Sequence, residues 1–238
     1  MQARLIEKGD GQVSDAILDY FKPYLEQKRG GTILEIGGAP GRYLAHFSRE
    51  FDLQASAIDY SAEGCKQLSE NFEKAELDIT VIERDVLNSN AAEKEKADIV
   101  CSLGLIEHFN DPVPMIRKHA DYLKDDGLLV MGVPNYGGIY EWFWKKLSPK
   151  LLSTHVLSTM KLEKWSEWQE PCGLEMINVK YVGGFSIGSL DKGEVNQSSG
   201  RKIIAKILRK VFKNSRIFEK VNHPYVAGYL LGTFRKKR

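Results

Sequence analysis

Between residues 13 and 134, short apolar runs alternate with amphipathic stretches, and this alternation leaves the chain few ways to fold. Runs at 32–36, 53–58, 79–82 and 97–103, with a fifth at 128–133, are bounded by Gly, Asp or charged clusters and read as buried strands. The intervening stretches at 41–50, 61–74 and 112–124 have helical spacing. Strand and helix in strict turn is the pattern of a parallel sheet covered by helices on both faces. Ahead of the first strand, 13–26 reads as an amphipathic helix whose apolar face is Val13, Ile17, Leu18, Tyr20, Phe21 and Leu25. It is expected to pack over the sheet or to cap a ligand. The helix at 112–124 has Asn110 or Asp111 as N-cap, Pro112 in its first turn, Lys124 near its end and Gly127 beyond.

Past Pro134 the alternation stops. All four tryptophans, Trp142, Trp144, Trp165 and Trp168, fall between Tyr136 and Cys172, so 136–172 reads as a helical cap. Two further strands follow at 174–185 and 225–234, separated by a polar and basic insertion at 186–224. With 238 residues, 42% of them hydrophobic, and a mean hydropathy of −0.34, the chain suits a single domain spanning 1–238. No run of about eighteen apolar residues occurs, and the first residues lack the apolar stretch of a signal peptide, so a soluble cytoplasmic protein is expected. Cys65, Cys101 and Cys172 have no metal-ligand spacing and are odd in number, which disfavours disulfides and zinc.

The segment Glu35-Ile36-Gly37-Gly38-Ala39-Pro40-Gly41-Arg42 follows a buried strand and opens a helix. Small residues there let backbone approach a ligand, and a helix N-terminus offers unpaired N–H groups to an anion. A tight turn alone would look the same. Asp59 and Asp85, however, end the second and third strands, at the edge where open α/β sheets bind ligands. An acid at Asp59 can accept from both ribose hydroxyls, and one at Asp85 can take the exocyclic amine of adenine; otherwise both are turn or N-cap residues. The coincidence at three strand ends favours a nucleoside. A dinucleotide fingerprint sets its third glycine five residues after the first, whereas Gly37 and Gly41 are four apart with Ala39 between them, so NAD is disfavoured.

These residues resemble the class I methyltransferases, in particular the small-molecule group that includes the ubiquinone-biosynthesis O-methyltransferases. Ile33-Leu34-Glu35-Ile36-Gly37-Gly38-Ala39-Pro40-Gly41 is similar to the family's first motif, Ala57-Ile58-Asp59-Tyr60-Ser61 to its ribose motif and Arg84-Asp85-Val86 to its adenine motif. The stretch from Ala97 through Leu103, Glu107 and His108 to Pro112 resembles its fourth strand and the loop beyond, and Gly127 to Asn135 its fifth strand. The resemblance implies a Rossmann-like α/β fold with a seven-stranded sheet, an antiparallel last strand and a helical cap after the fifth strand. It also implies S-adenosyl-L-methionine held by Glu35, Gly37, Gly38, Ala39, Gly41, Asp59, Tyr60, Asp85, Val86 and Leu103, and methyl transfer to a small-molecule or lipid-linked acceptor.

A sulfonium methyl is already activated, so alignment and water exclusion carry most of such a reaction. For a hydroxyl or phenol acceptor, His108 is the natural general base; it could instead only brace the loop beside Glu107. Glu107, Tyr136, Trp142 and His155 are candidate acceptor contacts, although aromatic residues of the cap could equally be packing it onto the sheet. Some relatives carry a further Glu where this chain has Gly104, and with it a metal site; no metal is expected here. Enzymes that methylate base amines have an Asn/Asp-Pro-Pro-aromatic run where this chain has Ser102-Leu103-Gly104-Leu105. A nucleic-acid partner is therefore disfavoured, and an RNA methyltransferase and a non-catalytic methyltransferase-like module are the alternative readings. From Arg201 onward twelve Lys/Arg face the single acid Glu219. Within it, 201–213 has apolar residues at helical spacing among six cations, the pattern either of a segment whose apolar face packs on the cap with its charges solvated or of one lying on an anionic membrane.

Overall fold

The computed structural model describes residues 6–92, 95–147, 149–185 and 221–237. Its sheet has seven strands in the order β3-β2-β1-β4-β5-β7-β6. These are β1 (Thr32–Ile36), β2 (Gln54–Asp59), β3 (Ile79–Glu83), β4 (Ala97–Leu103), β5 (Leu123–Pro134), β6 (Leu174–Val182) and β7 (Tyr229–Lys236). The first five pair in parallel, and β7 inserts antiparallel between β5 and β6. The expected seven strands and reversed last strand are therefore both present.

Side chains alternate across each strand, and the core divides accordingly. Ile33, Ile99 and Val130 face the layer of α1 (Gln12–Leu25), α2 (Arg42–Phe51) and α3 (Ala62–Lys74), meeting Phe21, Phe47 and Phe72. Their neighbours Leu34, Val100 and Leu129 face the layer of α4 (Val113–Asp121) and the segment after β5, meeting Ile116, Trp144 and Trp165. Burial on both faces explains why these strands read as continuous apolar runs rather than alternating ones.

Three boundaries differ from the sequence reading. The helix placed at 112–124 stops at Asp121, and Pro112 rather than Asn110 or Asp111 is its cap residue; Asp111 Oδ1 accepts from the Val113 amide at 3.1 Å just outside it. The chain is drawn into the sheet early, because the Ala97 amide donates to Tyr122 O at 2.9 Å and Lys124 Nζ lies 2.9 Å from Asp98 Oδ2. β6 ends at Val182 because Gly183 and Gly184 take φ of 83° and 46°, outside strand geometry. β7 begins at Tyr229 rather than Tyr225, since the amides of Val226 and Ala227 turn back onto His223 O at 2.9 and 2.8 Å.

After β5 come α5 (Ile139–Leu147), α6 (Pro149–Ser153) and α7 (Leu162–Gln169), within the stretch read as helical. Trp144 and Trp165 are fully buried and Trp168 is half-buried, so three of the four tryptophans pack this segment onto the sheet. Of the insertion at 186–224 only 221–224 is described, and the 201–213 segment lies outside the described residues. The three cysteines form no disulfide, and no described helix is long and apolar enough to cross a membrane.

Candidate functional site

Strand order reverses between β1 and β4, so the loops leaving their carboxyl ends diverge and open a crevice, as ligand-binding α/β sheets do. The turn after β1 is sterically committed to glycine. Gly37 has φ of 67°, and a Cβ there would sit 2.9 Å from Leu105 Cδ1. A Cβ on Gly38 would fall 1.9 Å from Glu35 Cδ, and one on Gly41, at φ of 74°, would fall 2.6 Å from Leu68. The Gly41 amide closes the turn on Gly38 O at 2.7 Å, around Ala39. Gly41 is also the cap residue of α2, which makes no side-chain cap hydrogen bond.

Glu35, 3% exposed, lies beneath this turn. Burial, and secondarily the Asp59 charge, push its carboxyl up to about 8. Its Oε2 has no hydrogen-bond partner among the described residues. Asp59 ends β2, buried, with Oδ1 accepting from the Ser61 amide at 2.9 Å, while Ser61 caps α3 by accepting from the Gly64 amide at 3.2 Å. Gly64 approaches so closely that a Cβ there would lie 2.8 Å from the Asp59 carboxylate. Tyr60 stands 80% exposed beside it. Asp85 is exposed, and its oxygens accept from the Leu87 amide at 2.9 Å and Asn88 Nδ2 at 2.7 Å, while the Val86 side chain is in the core. The glycine cradle and the buried, partnerless acid fit a ligand with a cationic end.

A cavity of about 580 Å³ adjoins this turn, lined among others by Leu103, Glu107, His108, Tyr136 and His155. Glu107 and His108 sit in a 3-10 turn after β4, with Glu107 1% exposed. The cap is tied to them by two bonds: the Val156 amide donates to Glu107 O at 2.7 Å, and His108 Nδ1 lies 2.9 Å from Thr154 O. A carbonyl can only accept, so Nδ1 carries a proton, and in the neutral ring Nε2, 4.0 Å from Glu107 Oε1, holds the lone pair. The His155 ring is 4.7 Å from the His108 ring and 5.0 Å from that of Tyr136. Burial, then the Glu107 charge, push the Tyr136 hydroxyl up to about 12. Donor atoms of Glu107, His108 and His155 lie within 4.8 Å of one another, a spacing that suits either a shared polar ligand or a metal ion. The β4 motif gave no sign of this grouping, because His155 arrives from the cap.

Trp142, expected to touch an acceptor, is not among the residues lining the cavity: it is 60% exposed, and Tyr140, on the opposite side of α5, lines the cavity instead. The sequence reading also missed Asp10, Gln12 and Ser14 at the start of α1, with Arg42 and Tyr229. Only the amphipathic pattern of α1 hinted at a capping role. Asn135 donates through Nδ2 to Pro224 O at 2.7 Å and Ala227 O at 2.9 Å, fastening the approach to β7 against the end of β5.

A family model described as a methyltransferase domain matches residues 5–181. Two ubiquinone biosynthesis O-methyltransferases of Actinobacillus pleuropneumoniae, from serotypes 7 and 5b, are each 28% identical over 122 residues, 50% of this chain and 52% of theirs. The chain thus spans about half the length of the curated relatives it matches. Among solved structures, coclaurine N-methyltransferase bound to N-methylheliamine and SAH superposes with a TM-score of 0.62 at 15% identity, covering 99% of this chain and 77% of that one. Phosphoethanolamine N-methyltransferase 2 of Haemonchus contortus, in complex with S-adenosyl-L-methionine, does so with 0.61 at 19%, covering 93% and 51%. These two share the fold. With the family model spanning most of the chain, the sheet order and the glycine-lined crevice find their place together: the chain belongs to the methyltransferase domain family.

Proposed function

We propose that this chain is an S-adenosylmethionine-dependent enzyme that methylates a hydroxyl or phenol oxygen of a small-molecule or lipid-linked acceptor seated in the cavity lined by His108 and Tyr136, in a cytoplasmic setting that suits its free thiols. The observation that carries this reading is the contact of His108 with the cap: Thr154 O accepts a hydrogen bond from Nδ1–H, which in the neutral ring leaves Nε2 to accept a proton from the acceptor. S-adenosylmethionine, when bound, supplies a methyl group already activated on a sulfonium sulfur. Gly37, Gly38 and Gly41 let the backbone approach it, Asp59 takes the ribose hydroxyls, and Glu35 faces its cationic end. Tyr136 and His155 orient the acceptor, and the cap excludes water. A panel of phenols, alcohols and amines, with methylated products identified by mass spectrometry, tests the reading. Methyl transfer to oxygen is expected; a product panel confined to N-methylation overturns it.

Two measurements check the cofactor assignment. Asp59→Ala should weaken S-adenosylhomocysteine binding about 10- to 100-fold in calorimetry, the effect of losing roughly 1.5–3 kcal/mol of hydrogen bonding to a carboxylate. Unchanged affinity would place the nucleoside elsewhere. The second concerns pH. Glu35 titrates at about 8 in the free protein rather than in the usual carboxylate range. A cation bound beside it favours the ionised form, so binding expels the proton and affinity should rise as pH climbs toward about 8, then level off. Glu35→Gln should bind more weakly with no such rise; a flat profile for the wild type removes Glu35 from the cofactor's charged end.

A further inference from the structure

α5 is split along its length into a buried face and a solvent face. Tyr140 and Trp144, one turn apart, are both buried, and Tyr140 lines the cavity while its hydroxyl donates to Val226 O at 3.0 Å. The opposite side presents Trp142, 60% exposed, with Ile139 one turn before it and the exposed Lys145 and Lys146 one turn after. Lys150, exposed in α6, continues the cationic stripe, and Glu141, paired with Lys145 at 2.6 Å, is the single acid on α5. The neighbouring stretch at 221–225 enlarges the apolar part: Val221 and Tyr225 are exposed, and the Ile139 amide donates to Tyr225 O at 3.0 Å.

A scattered exposed aromatic needs no explanation. Here an indole and three flanking apolar side chains stand beside three lysines. An indole with its polar edge sits favourably at the headgroup level of a bilayer, and lysines beside it are drawn to anionic headgroups.

We propose that the outer face of α5, through Trp142, Lys145, Lys146 and Lys150, docks on an anionic membrane surface. Docking in this orientation sets Tyr140, and with it the cavity, one helix diameter from the lipid headgroups, within reach of an acceptor carried on a lipid. The surface is independent of which acceptor atom is methylated, and its test needs no turnover.

The experiment is co-sedimentation with phosphatidylcholine vesicles, with and without phosphatidylglycerol, combined with tryptophan emission against chain-brominated lipid. Trp144 and Trp165 are buried and Trp168 is half-buried against the core, so the quenching that Trp142→Ala removes is the part that reports on Trp142. The wild type is expected to sediment with the anionic vesicles only, with its emission quenched, and Trp142→Ala is expected to abolish the quenching. The combined Lys145→Gln, Lys146→Gln and Lys150→Gln protein is expected to bind on the order of 100-fold more weakly. Retained S-adenosylhomocysteine affinity in each variant shows that the fold is intact. No sedimentation with anionic vesicles at low salt overturns the proposal, as does sedimentation without Trp142 quenching or undiminished by the lysine substitutions. Salt-sensitive RNA binding without vesicle binding, or a dimer in which Trp142 is shielded from aqueous quenchers, also overturns it and assigns the face to that partner.

Discussion

His108→Ala is expected to lower kcat on an oxygen acceptor by on the order of 100-fold or more, while the dissociation constant for S-adenosylhomocysteine stays within about twofold. The split follows from where the side chain lies. The ring belongs to the cavity and the cap, with Nδ1 on Thr154 O and the His155 ring beside it. Its loss therefore removes the proton acceptor without disturbing the cradle. His108→Asn discriminates further: an amide can still donate to Thr154 O and brace the cap, yet it cannot accept a proton at working pH. If the Asn variant turns over normally, the side chain only braces the loop and the base lies elsewhere.

Trp165→Ala is expected to cost about 3–5 kcal/mol of stability, the largest effect of any single cap residue. The indole is fully buried, stacks on Phe234 at 6.1 Å and donates through Nε1 to Thr159 O at 2.7 Å. It occupies the space left by Gly232 in β7, where a Cβ would lie 2.6 Å from the ring. Truncation leaves a cavity over the sheet and an orphaned carbonyl at once. For a domain of this size such a loss corresponds to a fall in Tm of roughly 10 °C. Calorimetry or circular dichroism measures it; a fall of under about 2 °C would mean that the cap repacks freely and is not held by this ring.

The two halves of the molecule were unequally legible. β1 and β4 could be read because a strand buried on both faces is an uninterrupted apolar run, and the Gly37–Gly41 turn because a side chain on any of its glycines would collide with a neighbour. Lys124 was read as the end of a helix because a lysine suits that place equally well; only the ion pair with Asp98, 26 residues away in sequence, draws it into β5. The cavity was half legible. Glu107 and His108 belong to a local pattern, but Asp10, Ser14 and Tyr229 reach it through long-range packing of α1 and β7, which leaves no mark in their own neighbourhoods. Trp142 and Tyr140 differ by two positions in an aromatic run, and the run alone does not say which of them turns inward.

The two hydrogen bonds from the cap to Glu107 and His108 tie the orientation of the imidazole to the position of the cap. If His108 is the base, as proposed, it is aimed for that task only while the Thr154 carbonyl is in place, so the segment that would shield the methyl donor would also be the one that orients the proton acceptor.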